Sequence, residues 1–115
     1  MLYRGSCHCG NIAFEIEGEV EAAVSCNCSI CARKGALLWA APWSRLRLLT
    51  SGAGIASYTF HNRAIAHRFC QSCGIHPFAE DVAAGPDRSV YINLRCVQDI
   101  DLTSVPVVEF DGRAL

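Results

Sequence analysis

Seven of the eight cysteines in this 115-residue sequence fall into three tight clusters. Thiols two or three residues apart can share a tetrahedral metal ion, with Zn–S distances of about 2.3 Å. A closed site takes four such ligands, so seven thiols predict one complete site and one site of three ligands. The clusters are Cys7 with Cys9, Cys26 with Cys28 and Cys31, and Cys70 with Cys73.

The first and third clusters are predicted to form a complete, structural zinc site. Cys70 and Cys73 flank a tight turn that ends in Gly74, as in a zinc knuckle. Cys7 and Cys9 are expected on extended backbone, where residues two apart share a face. A metal ion bound by both clusters would close a loop of about sixty residues. Loop closure alone would stabilise the fold by on the order of a few kcal/mol.

Two other interpretations of these four thiols are weaker. Free cysteine often packs as a small buried hydrophobe, but a CxC pair and a CxxC pair in one chain favour metal. A redox-active CxxC belongs at a helix start inside a βαβ unit. The sequence predicts no such unit, so metal remains the better interpretation.

Cys26, Cys28 and Cys31 are predicted to hold a second, catalytic zinc. Three local ligands leave one coordination position, where a substrate thiol would be held as a thiolate at neutral pH. The alternatives are a non-catalytic zinc-stabilised binding module, in which the cluster is closed or empty, and a redox or metal-buffering role. Residues elsewhere in the sequence that would close or line the site are His61, His67, His76 and Cys96.

Arg33 and Lys34 follow the middle cluster closely. They are placed to hold the carboxylates of a small acidic thiol such as glutathione. The alternative is an ordinary solvated pair of surface cations. The sequence leaves both open.

Composition and charge exclude several classes of protein. The formal charge is −1, and seven thiolates with two zinc ions would make it about −4. No basic run is present, which disfavours a nucleic-acid partner. The longest apolar window, Ala36–Trp43, is far shorter than the roughly 20 residues that span a bilayer. No signal peptide is recognisable, so we expect a cytoplasmic protein without a membrane partner, whose thiols stay reduced.

The elements that position these residues are predicted to be short strands in one domain, residues 1–115. Residues 13–17 alternate apolar and polar side chains, as a half-buried strand does. A single helical turn is expected at residues 29–34. The sequence therefore predicts a mainly β domain. The other expected strands are residues 22–25, 36–41, 46–49, 56–60, 64–69, 89–94 and 107–110.

The three clusters and their surroundings resemble the family of glutathione-dependent formaldehyde-activating enzymes, which includes the zinc-binding domain of centromere protein V. The resemblance covers nearly the whole chain. It is carried by the segments 5–10 (GSCHCG), 25–31 (SCNCSIC), 68–74 (RFCQSCG) and 110–113 (FDGR). It implies a β-tent fold of short antiparallel sheets, with a structural zinc on the first and third clusters and a catalytic zinc on the middle one.

The resemblance also implies a reaction. The family adds the thiol of glutathione to formaldehyde to give S-(hydroxymethyl)glutathione, and is classed with the carbon–sulfur lyases. Such chemistry needs a thiolate, a nearby aldehyde and a proton donor for the developing alkoxide. Water on the zinc or a histidine would supply that proton, and the sequence does not choose between them. The expected partners are therefore glutathione, or a similar thiol, and a small aldehyde.

Overall fold

The computed structural model describes residues 1–114, which form ten short strands, one short helix and several 3₁₀ turns. The mainly β fold class is confirmed. That residues 1–115 make one domain stays a prediction. The strands are β1 (Leu2–Ser6), β2 (Ala13–Glu17), β3 (Ala23–Cys26), β4 (Leu38–Pro42), β5 (Leu46–Leu48), β6 (Ile55–Tyr58), β7 (Ile65–Cys70), β8 (Phe78–Asp81), β9 (Ser89–Asn93) and β10 (Val107–Phe110), and the helix is α1 (Ser29–Lys34).

The strands form two sheets. The smaller has the order β1-β2-β5, and the larger has the order β10-β3-β4-β9-β8-β7-β6. Strands β1 and β8 were not predicted from the sequence. Each is short, and β8 is held by pairing with β7 on one side and β9 on the other. Pairing across a sheet, rather than a local pattern, therefore decides these two strands.

One strand pair differs from the antiparallel pairing found in the rest of the two sheets. Strand β10 lies parallel to β3, with Val107 opposite Ala23 and Phe110 opposite Cys26. Parallel neighbours need a long connection. Here the chain returns after β9 through 3₁₀ turns at Leu94–Cys96 and Leu102–Ser104. This return brings the C-terminal strand beside the middle cysteine cluster.

The core lies between the two sheets. Phe14 and Ile16 of β2 are fully buried, as the alternation in residues 13–17 predicts. The rings of Phe14 and Phe78 make an edge-to-face contact with centroids 6.1 Å apart. Edge-to-face contacts of this kind add to the free energy gained by burying the rings. The two sheets are thereby held together close to the loops that carry the cysteines.

No helix within residues 1–114 has the length and apolar character needed to cross a membrane.

Candidate metal and active site

The first and third cysteine clusters lie on two loops that meet in space. Cys7 and Cys9 belong to the connection between β1 and β2. Cys70 ends β7, and Cys73 lies in the turn that follows it. The expectation that Cys7 and Cys9 lie on extended backbone is wrong. Ser6 pairs with Ala13, so residues 7–12 must reverse the chain, and residues 8–12 are bends.

The four sulfur atoms have the separations that a tetrahedral site requires. The Cys7 and Cys9 sulfurs are 3.7 Å apart, and those of Cys9 and Cys70 are 3.5 Å apart. All four lie within 4.8 Å of one another. Four ligands at about 2.3 Å from one ion would be roughly 3.8 Å apart. The group can therefore hold a metal ion with little rearrangement.

Backbone N–H groups point at these sulfurs. The amides of Ser72 and Cys73 donate to the Cys70 sulfur over 3.3 and 3.4 Å. Gly74 has φ +79° and turns the chain, as a knuckle requires. Backbone N–H donors lower the pKa of Cys70. The backbone N–H of Ile75, and after it the backbone N–H of Cys9, lower the pKa of Cys73 to about 6. Donors around sulfur favour thiolates, so this group suits a cation.

The middle cluster is formed where β3 passes into α1. Cys26 ends β3, Cys28 is the N-cap of α1, and Cys31 lies in the helix. Their sulfurs all lie within 4.8 Å of one another. Burial raises the pKa of Cys31 to about 12, so this thiol becomes a thiolate at neutral pH only when a cation joins it. The three thiols can hold a metal ion as a group.

Within residues 1–114, no fourth cysteine, histidine, aspartate or glutamate joins the middle cluster. His61 and His67 line a cavity beside it. Cys96 packs elsewhere, where its thiol donates to the His76 carbonyl over 3.7 Å. None of the four residues considered for the fourth position is a member of the cluster.

Lys34 and two histidines form a polar group, in which Lys34 and His67 line the same cavity. The ammonium nitrogen of Lys34 lies 3.1 Å from His67 Nδ1 and 3.1 Å from His76 Nε2. Burial lowers the pKa of both histidines to about 4, and the charge of Lys34 adds to this effect. Both rings are therefore neutral at physiological pH.

The hydrogen bonds determine the tautomer of His76. Its Nδ1 lies 2.8 Å from the carbonyl oxygen of Arg68, which can only accept. Nδ1 therefore carries the proton, and Nε2 accepts from Lys34. The lysine is thus a half-buried donor held in place by its histidine partners.

The structure separates Arg33 from Lys34. Arg33 is exposed, and its guanidinium donates to the Ser29 carbonyl of its own helix over 2.8 Å. Lys34 instead turns inward, one helical turn after Cys31, and lines the cavity. The interpretation of a solvated surface pair holds for Arg33 alone.

The C-terminal segment lies against the middle cluster. The Asn27 side chain donates to Asp111 Oδ1 and accepts from the Arg113 amide, both over 2.9 Å. Gly112 comes so close that a Cβ on it would lie 2.5 Å from the Cys26 sulfur. Sequence reasoning linked the segment 110–113 to the family but missed this contact, because 84 residues separate Asn27 from Asp111.

A cavity of about 600 Å³ opens beside Cys26, Cys28 and Cys31. Its walls come from helix α1, the loop between β6 and β7, and strands of the larger sheet, which are β3, β4, β7, β8, β9 and β10. Its size is typical of small-molecule sites, which range from about 300 to 1,000 Å³. The three-thiol cluster is therefore next to a space that can admit a ligand.

A sequence model of the family described as "Glutathione-dependent formaldehyde-activating enzyme" matches residues 2–110. The chain belongs to this family. A solved structure of a Rhodobacter sphaeroides protein, a structural genomics target, is similar to it with 29% sequence identity and a TM-score of 0.78. That similarity covers 91% of this chain and 99% of the other.

Membership in the formaldehyde-activating family agrees with the resemblance seen in the sequence. The sequence did not reveal the Lys34, His67 and His76 group. The spacing between Cys31 and Lys34 was the available signal, since residues three apart on a helix share a face. The two histidines carried no such signal, because strand pairing brings them to Lys34 from distant positions.

Proposed function

We propose that this protein is a zinc-dependent enzyme that adds a thiol to formaldehyde or another small aldehyde. The product is an S-hydroxymethyl adduct, or its homologue, as in the S-(hydroxymethyl)glutathione synthase reaction, and cleavage of the adduct is a carbon–sulfur lyase reaction. One observation carries the proposal: three cysteine thiols form a cluster next to a cavity, in a chain of the formaldehyde-activating family.

The two clusters would have different roles. Cys7, Cys9, Cys70 and Cys73 would hold a structural zinc, since they supply all four ligands of a closed site. Cys26, Cys28 and Cys31 would hold the catalytic zinc. A zinc ion bound by three protein ligands supplies an open position, at which a substrate thiol is ionised near neutral pH.

Lys34 supports the second half of the reaction. When the thiolate sulfur forms a bond to the aldehyde carbon, the carbonyl electron pair moves to oxygen and an alkoxide develops. Lys34 lines the cavity, and its ammonium group would stabilise this charge and give up a proton. Burial lowers the pKa of Lys34, although the neighbouring thiols oppose this shift. A lowered pKa makes the proton easier to donate.

His67 and His76 would position the lysine. As neutral rings they accept its N–H groups without competing for its charge, and the Arg68 carbonyl orients His76. His67 also stacks on Phe60, with ring centroids 5.6 Å apart. This packing restricts the Lys34 side chain and so reduces the entropy lost when substrate binds. A cytoplasmic location, where thiols stay reduced, completes the proposal.

The test is NMR exchange between free formaldehyde and its thiol adduct, measured with zinc-loaded protein and with buffer alone. Acceleration over the spontaneous rate is expected. Cys28→Ser should abolish it, because the middle cluster then has two thiols. If the wild-type protein gives only the spontaneous rate with every thiol tested, a catalytic role in this reaction is excluded.

A further inference from the structure

The cavity beside the middle cluster is far larger than formaldehyde requires. An aldehyde with one carbon and one oxygen would occupy little of a volume of about 600 Å³. Most of the space must therefore receive the other reactant. The chemistry of the cavity walls indicates what that reactant carries.

The walls are mainly apolar. Aliphatic and aromatic side chains come from β3, α1, β4, β7, β10 and the loop before β7. An apolar ligand in contact with them would leave water, which is favourable. The principal apolar lining residues are Val24, Ile30, Leu38, Phe60, Ile65 and Phe110.

Several of the polar groups in the lining are already paired within the protein. The Tyr91 hydroxyl donates to Asp81 Oδ1 over 2.9 Å. The Asn62 side-chain oxygen accepts from the Ala64 amide over 3.1 Å. Lys34 is bonded to its two histidines. No aspartate or glutamate is among the lining residues of the described chain.

These walls do not match glutathione. The tripeptide carries two carboxylates, an ammonium group and two peptide groups. The ammonium would meet no carboxylate in the lining, and a second carboxylate would compete for the single Lys34 cation. Burying polar groups without partners costs free energy. An alkyl or aryl group on the sulfur would instead be stabilised over its whole length.

We propose that the thiol substrate of this site carries an apolar alkyl or aryl body and not the charged body of glutathione. The inference rests on the proposed function and specifies its substrate. In the reaction, R–SH adds to the aldehyde: the S–H bond breaks, a C–S bond forms, the carbonyl π pair moves to oxygen, and oxygen gains a proton. The product is R–S–CH₂–OH when the aldehyde is formaldehyde.

Binding tests the proposal without turnover. Zinc-loaded protein is titrated calorimetrically with ethanethiol, propanethiol, butanethiol and glutathione, in the absence of aldehyde. The affinity is expected to rise by about fourfold for each buried methylene. Glutathione should bind more weakly than butanethiol. Equal affinities along the alkyl series, or tightest binding of glutathione, would overturn the inference.

Two matched variants locate the effect. Val24→Thr places a hydroxyl in the cavity wall with almost no change in volume. It should weaken butanethiol binding by about threefold or more, since the hydroxyl loses water. Val108→Thr is the control, because Val108 pairs with Val24 on β10 but is 53% exposed and outside the cavity. Equal effects of both variants on butanethiol would contradict the assignment to this cavity.

Exchange measurements separate this inference from the proposed function. Repeating the formaldehyde exchange with butanethiol and with glutathione gives two distinct failures. No acceleration with any thiol removes the proposed reaction. Acceleration that is greatest with glutathione preserves the reaction and refutes the apolar substrate.

Discussion

Substituting alanine for Gly112 should weaken metal binding at the middle cluster alone. The added Cβ would lie 2.5 Å from the Cys26 sulfur and 3.1 Å from the Cys28 Cβ. Ordinary contact begins at about 3.4 Å, so the sulfur and the new methyl group must separate by roughly 0.9 Å. Either Cys26 rotates away from Cys28 and Cys31, or the C-terminal segment lifts off the cluster.

Both responses cost free energy. Rotation of Cys26 misplaces one of three ligands. Lifting the segment breaks the hydrogen bonds of Asn27 with Asp111 and with the Arg113 amide. Overpacking of this kind costs about 1–3 kcal/mol. Each 1.4 kcal/mol is about tenfold in affinity, so zinc affinity at this cluster should fall roughly fivefold to 140-fold.

The assay is competition for zinc with a chromophoric chelator, which resolves a tight and a weaker binding step. Gly54→Ala is the matched control, because the nearest heavy atom to its new Cβ is 3.9 Å away. Neither glycine has a positive φ, so alanine can adopt the backbone conformation at both positions, and only the contacts of the new Cβ differ. If Gly112→Ala binds zinc with the wild-type affinity in both steps, the idea that the C-terminal segment holds Cys26 in place is refuted.

Three further predictions test the other parts of the site. Cys70→Ala should destabilise the protein strongly, because a four-ligand site that lacks one ligand no longer holds the two loops together. Removal of the metal by a chelator should unfold the protein for the same reason. An unchanged melting temperature after metal removal would contradict this prediction. Lys34→Met should slow adduct exchange tenfold or more without loss of zinc, whereas Arg33→Met should leave the exchange rate unchanged. Equal exchange rates in the two variants would remove Lys34 from the mechanism. Partial burial lowers the pKa of His76 from 6.5 to about 4. Between these pH values the unfolded chain binds more protons, so acid should reduce the free energy of unfolding. Urea denaturation between pH 7 and 4.5 should show a shallower decline for His76→Gln than for wild type, and identical slopes would disprove this contribution.

The local part of the site could be predicted from the sequence. Cys26, Cys28 and Cys31 are close in the chain, so the short passage from β3 into α1 is enough to bring their sulfurs together. The Cys70–Cys73 turn likewise depends on residues within it and on Gly74. The strand at residues 13–17 was predictable because its alternation matches the two faces of a sheet. Each of these features depends on neighbours a few residues away.

Other features required the folded chain. Strand β8 forms only because it pairs on both sides, and β10 lies parallel to β3 because the chain returns across the sheet. The same pairing carries Gly112 to Cys26.

The sequence by itself determined the chemistry of the ligands: thiols at metal-binding spacings, in a mainly β chain. Tertiary structure decided what surrounds them. His67 and His76 reach Lys34 across 33 and 42 residues, and the cavity walls come from strands spread over the chain. The physical reason is that spacing within a turn is set by backbone geometry. The environment of a site is set by packing between elements, which no local pattern specifies.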